Sequence, residues 1–516
     1  MLPSTNTPEW KTVADAKRAL VLAEIPEEWR LSDDVIAKYN DATKHQLVMD
    51  VPKQYLTAEE LEITEHDDSQ QLLAKIHSGQ YTSLQVYRAF AHRVAIAAQL
   101  LNCCTELMFE FGEKTAKELD AYFQQHGKPK GPFHGLPISV KDCFNVKGYD
   151  SVVGMVCHVG NKDELVQSAW VDLLLDQGAI IYVKSNVPMS MMSSDSENNV
   201  NGKTLNPLGT DWSSGGSSGG EGAIVAFKGA MIGVGTDIAG SIRFPAANQE
   251  LFGFKPSSDR LPYKNQKAGG NPNFMGFKPV AGPLARSAND IEFFMKTVLD
   301  AKPWVYDPVV LPFGYQKVEV PEKLNIGVIL KEDGDSKDLA VDQDVQDMVQ
   351  SAANKLQAAG HNAKTATNHP SFAGKWDFGT EFFEIKVKGV ITALDKIKAS
   401  GEPIIPSLGY MNLDPPFTPI EEIVRLKKEL VILYLQWQDY FQEQQIDMLL
   451  MPLTKQKKWK HDEFLHQESP YSITWNEVDF AAAVVPHDGG CVQLVCPRLM
   501  EEKLVLMIKQ VDAAIN

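Results

Sequence analysis

The stretch WSSGGSSGGEGAIVAFKGAMIGVGTDIAGSIRFP, from Trp212 to Pro245, decides how this chain is read. Two glycine-serine clusters flank an apolar run from Ala223 to Val234. Glycine lets backbones approach closely and takes positive φ without strain. Two such points on either side of one apolar segment can bring Ser217 and Ser241 to a common pocket. Around Ser241 the residues Thr236-Asp237-Ile238-Ala239-Gly240-Ser241 supply successive backbone N–H groups. Turned toward a substrate carbonyl, such groups make an oxyanion hole.

On either side of this stretch, short apolar runs alternate with helically patterned segments. The runs are Leu136–Val140, Ala179–Val183, Leu324–Leu330, Met448–Met451 and Val492–Cys496. Alternation of this kind predicts an α/β protein with a largely buried sheet. Residues 1–110 read as helical. Thr57 with Glu60 and Thr82 with Gln85 fit capping boxes, Val86, Phe90 and Val94 share a helical face, and Gly79 suits a helix C-terminus. The expected organisation is a helical N-terminal region, 1–110, packed on a catalytic core, 111–516, in one domain overall. The proline-containing segment from Ala301 to Lys323 reads as a surface connection within that domain.

A serine attacks only when a base removes its proton. No histidine lies near the clusters in sequence, which leaves His134, His158 and His461 to be brought in by folding. The other candidate is Lys141, which ends the run Leu136–Val140, because desolvation lowers an ammonium pKa. The run Gly215-Gly216-Ser217-Ser218-Gly219 also fits the G-x-S-x-G nucleophile elbow, which would make Ser217 the nucleophile but leaves Ser241 and Lys141 without a role. A phosphate-binding loop is a weaker reading still, since no Gly-Lys-Ser/Thr follows the glycines.

Composition narrows the classes further. The chain has 516 residues, 44% hydrophobic and 23% charged, enough for a large core. A net charge of −17 argues against nucleic acid and anionic membranes as partners. The six cysteines lack paired metal-ligand spacing, so neither a metal nor another cofactor is expected. The start, MLPSTNTPEWKTVADAKR, has no apolar h-region, and no run of about 18 uncharged apolar residues occurs. A cytoplasmic protein without a membrane span is the expectation.

Three motifs in order, GLPISVKDCFNVKG (135–148), GGSSGGEG (215–222) and GTDIAGSIRFP (235–245), resemble the amidase signature family. The 24-residue separation of Ser217 and Ser241 matches that family's interval, and Asn186-Val187-Pro188, Asn206-Pro207, Arg260–Tyr263, Gly282–Ser287, Trp475-Asn476 and Gln493–Val495 extend the likeness over most of the chain. Its flavour is that of fungal acetamidase-like members, cousins of fatty acid amide hydrolase. The resemblance implies the amidase signature fold, a large mixed sheet covered by helices on both faces. It also implies hydrolysis of a small-molecule amide to an acid plus ammonia or amine. Ser241 takes the place of the acylated nucleophile, Ser217 of the middle serine preceded by a cis peptide bond, and Lys141 of the base. Ile238, Ala239, Gly240 and Ser241 correspond to the oxyanion hole, Met191 to an acyl-pocket position, and Ser218, Asp237 and Arg243 to supporting positions. A homodimer is suggested by the resemblance alone.

The chain departs from the family at three places. Ala239 stands where glycine is common, and alanine keeps the N–H but resists positive φ. Only His487–Val492 intervenes where fungal relatives carry an insert, a change that could open the pocket or alter specificity. Cys496 replaces the glycine after Gln493-Leu494-Val495. These departures keep a catalytically impaired binding protein in play as an alternative, beside an amidotransferase-type subunit.

Overall fold

The computed structural model describes residues 9–162, 166–268, 276–332, 339–387, 391–408, 412, 414–463 and 469–516. Eleven strands form one central sheet. They are β1 (Cys104–Leu107), β2 (Pro137–Lys141), β3 (Ile180–Ser185), β4 (Ile232–Asp237), β5 (Phe252–Lys255), β6 (Val280–Ala285), β7 (Asn325–Val328), β8 (Asn362–Thr365), β9 (Met448–Met451), β10 (Ala481–His487) and β11 (Gly490–Cys496). Their order across the sheet is β1-β3-β2-β4-β6-β5-β10-β11-β9-β7-β8. The sheet is mixed: β2 runs parallel to β3 and β4, β7 to β8 and β9, and the remaining pairs are antiparallel.

The expected runs map onto β2, β3, β7, β9 and β11. Strand β2 is buried along its whole length, as a near-continuous apolar run between two parallel neighbours must be, and its proline takes the first position, where a missing N–H costs least. Helices cover both faces of the sheet, with Glu501–Ile515 against β10 and β11 and Gly219–Ala226 against β2 and β4. No helix among the described residues is long and apolar enough to cross a membrane.

The N-terminal region is helical up to Leu101, and the capping boxes at Thr57 and Thr82 are both formed. Gly79, at φ +78°, follows the helix Ser69–His77. The helical region nevertheless stops short of residue 110. Asn102 turns into the left-handed region at φ 50°, and Cys104–Leu107 becomes an edge strand of the sheet. The segment after Pro486 is a tight hairpin joining β10 and β11. Asp488 and Gly489 both have positive φ, 48° and 72°, the geometry of a two-residue turn whose twist matches that of the strands.

Candidate active site

Two parallel strands deliver the site. Lys141 is the last residue of β2 and Asp237 the last of neighbouring β4, so both side chains emerge at the carboxyl edge of the sheet, where open α/β sheets bind ligands. The glycine-serine run crosses this edge and enters the helix Gly219–Ala226. The peptide bond between Gly216 and Ser217 is cis. Gly216 packs so tightly that a Cβ there would lie 2.3 Å from the Ser193 carbonyl oxygen.

Lys141 is fully buried. Its Nζ lies 2.7 Å from Ser217 Oγ and donates to Thr236 Oγ1 at 2.7 Å. Burial lowers its pKa to about 8, against the opposing pull of Cys143, Asp237, Glu221 and Asp142. A substantial fraction of this amine is therefore neutral near pH 8. Ser217 and Ser241 both line a cavity of about 430 Å³, but among the described residues no hydrogen bond joins their hydroxyls.

The backbone from Ile238 to Ser241 follows β4 directly. The Gly240 N–H donates to Asp237 Oδ1 at 2.8 Å. Those of Ile238, Ala239 and Ser241 donate to no protein acceptor among the described residues. Ala239 is not among the residues with positive φ, so its Cβ introduces no backbone strain. Gly240 carries the unusual conformation instead, at φ +129°, and a Cβ there would come within 2.5 Å of the Phe244 ring. Gly240→Ala is expected to lower unfolding stability by about 2–3 kcal/mol, from backbone strain and overpacking together. Urea unfolding checks this, and a loss under about 0.5 kcal/mol would refute it.

Asp237 and Arg243 form the hub beneath this loop. Arg243 donates to Asp237 through Nε (3.0 Å) and Nη2 (2.9 Å) and reaches Ser472 O, Asn476 Oδ1 and Gln493 Oε1. Both residues are inaccessible to solvent. Burial works to raise the Asp237 pKa, but the charge and hydrogen bonds of Arg243 hold it well below the usual carboxylate range. Ser218 ties the two clusters together, its N–H donating to the Ser241 carbonyl at 3.1 Å.

Met191 lines the cavity, and it and Ser190 take consecutive positive φ values of 59° and 57°, a strained conformation of the kind concentrated at functional sites. Sequence reasoning named Thr236 for its backbone only, without its hydroxyl, and missed Tyr263, Gln266 and the wall contributed by Phe383, Lys386 and Leu408. Thr236 and Tyr263 stood inside quoted motifs. The wall residues lie in segments whose polar pattern carries no signal of a cavity. No residue of the β10–β11 hairpin lines the cavity, nor do His134, His158 or His461. His461 instead contacts Asp195 and the Thr210 carbonyl, and His134 accepts the Lys130 N–H.

A profile described as Amidase matches residues 85–400. The chain is 35% identical over 502 residues to an acetamidase of Emericella nidulans, covering 92% of this chain and 86% of the relative. It is 34% identical over 486 residues to an amidase of Gibberella moniliformis, covering 92% and 89%. Among solved structures, fatty acid amide hydrolase superposes with a TM-score of 0.88 at 27% identity, over 98% of this chain and 95% of that one.

Proposed function

The chain belongs to the amidase signature family and is a hydrolase acting on amides, and from that premise we propose that Ser241 is its nucleophile, Ser217 its proton carrier and Lys141 its base. The observation that carries the reading is the buried Lys141 amine 2.7 Å from Ser217 Oγ. In its neutral form the amine accepts the Ser217 proton while its own N–H holds Thr236. Ser217 in turn takes the proton of Ser241, whose oxygen attacks the amide carbonyl. The carbonyl oxygen becomes an anion, received by the uncommitted N–H groups of Ile238, Ala239 and Ser241, while the Gly240 N–H keeps the loop on Asp237. The proton returns through Ser217 to the leaving nitrogen, because an amine leaves readily only when protonated. Water then hydrolyses the acyl-enzyme to the acid and regenerates Ser241.

Met191 lines the cavity that holds the substrate, and Ser218, Asp237 and Arg243 position the nucleophile loop. Labelling with a fluorophosphonate, followed by peptide mapping, tests the assignment. The adduct is expected on Ser241. An adduct on Ser217 with Ser241 unmodified would make the glycine-serine run a nucleophile elbow and overturn the proposal. Release of ammonia or amine from a panel of simple amides by the same preparation distinguishes turnover from mere binding.

A further inference from the structure

The helix Gly219–Ala226 reads GGEGAIVA, and Glu221 is its only charged residue. The relay above makes no use of it, yet Glu221 is fully buried in the first turn. Its Oε2 accepts the Ser139 hydroxyl at 2.5 Å. Its Oε1 and the Ser185 hydroxyl are both buried, and Ser185 helps to hold the carboxylate.

The sheet places these groups around the base. Ser139 precedes Lys141 by two residues on β2, so the two side chains share a face. Ser185 is the register partner of Lys141 on β3. Gly233 of β4 leaves the space open, since a Cβ there would lie 2.3 Å from Glu221 Oε2 and 3.2 Å from Ser139 Oγ. Glu221 is thus anchored by Ser139 on the face of β2 that carries Lys141, close enough for their charges to interact.

We propose that Glu221 is a positioning residue for the hydrolysis, acting through Lys141: the carboxyl that Ser139 anchors on the lysine's face of β2 sets the pH above which the amine is free to take a proton. The inference rests on the reading of Lys141 as the base. An anion beside an ammonium favours the charged lysine, which is no base, whereas a neutral carboxyl does not. Burial pushes Glu221 up to about 7, against the pull of Ser139, Ser185 and the Lys141 charge. The charge on each group acts on the other, the Lys141 ammonium lowering Glu221 and the Glu221 carboxylate raising Lys141.

The other groups facing the pair are few. Asp142 and Cys143 follow Lys141 on its own chain, and Asp237 faces it from β4. Cys104 of β1 and Tyr182 of β3 face Glu221, and burial raises both so that they stay neutral at neutral pH.

The test is the pH dependence of fluorophosphonate labelling of Ser241 in the wild type, Glu221→Gln and Ser139→Ala. The wild-type rate is expected to rise with pH. In Glu221→Gln that limb should move to lower pH by about half a unit to one unit, because the anion that steadies the ammonium is gone. Ser139→Ala should move it the same way by less, since it removes the donor that steadies the carboxylate. This second variant changes one hydroxyl and remains measurable if Glu221→Gln does not fold. A limb that stays in place, or moves to higher pH, in either folded variant overturns the proposal. A purely structural Glu221 would lower the thermal midpoint and leave the limb where it was. Wild-type labelling away from Ser241, or without a pH limb, would instead sink the assignment of the base and nucleophile.

Discussion

Replacing Ser241 with alanine is expected to cut kcat/KM by about four to six orders of magnitude, because nucleophile and relay act as one unit. The substitution removes only the oxygen that would become acylated. Position 241 retains its N–H, so the pocket still accepts a carbonyl oxygen. The hub beneath is untouched, because Arg243 and Asp237 hold each other and the loop through atoms other than the Ser241 side chain. Unfolding stability should therefore change by less than about 1 kcal/mol, and substrate binding should persist without turnover. Steady-state kinetics with equilibrium binding on the same preparation checks this. Retention of a tenth or more of wild-type activity would remove Ser241 from the chemistry.

Lys141→Ala is expected to cost about three to four orders of magnitude near pH 7–8 and to erase the pH limb that belongs to the lysine. The sign follows from its environment. Burial depresses the amine to about 8, so it is protonated and idle below that pH and becomes a base as the pH rises through it. Wild-type kcat/KM should climb with pH through this window. Without the amine, residual activity should follow only the rising hydroxide concentration, with no plateau above pH 9. The variant also strands the Ser217 and Thr236 hydroxyls in a buried space, so the thermal midpoint should be recorded alongside the kinetics. A folded Lys141→Ala enzyme with the wild-type pH profile would show that another group is the base.

Much of this arrangement was legible in the chain because glycine and serine constrain geometry locally. The motifs around Ser217 and Ser241 announce two sharp turns, and the apolar run ending at Lys141 announces a buried strand. Strand β1 was hidden because Cys104–Leu107 continues directly from a long helix, and only the left-handed turn at Asn102 separates them. Strands β5 and β8 are four residues each and owe their form to the neighbours they pair with, a tertiary effect that short windows do not carry. The commitment of the Gly240 N–H to Asp237 was likewise invisible, since it depends on where a neighbouring carboxylate turns. Glu221 could have been found: a single acid in the helix GGEGAIVA has no polar face on which to reach water.

The Arg243 guanidinium ties residue 237 to residues 472, 476 and 493. Strands β10 and β11, formed by residues 481–496, sit inside the sheet between β5 and β9. This wiring makes the site depend on segments distant in sequence. Without residues 472–496 the buried Asp237–Arg243 pair would lack three of its partners and the sheet would be split into two halves. The late strands therefore support the loop after β4 as directly as do the strands that carry Lys141 and Asp237.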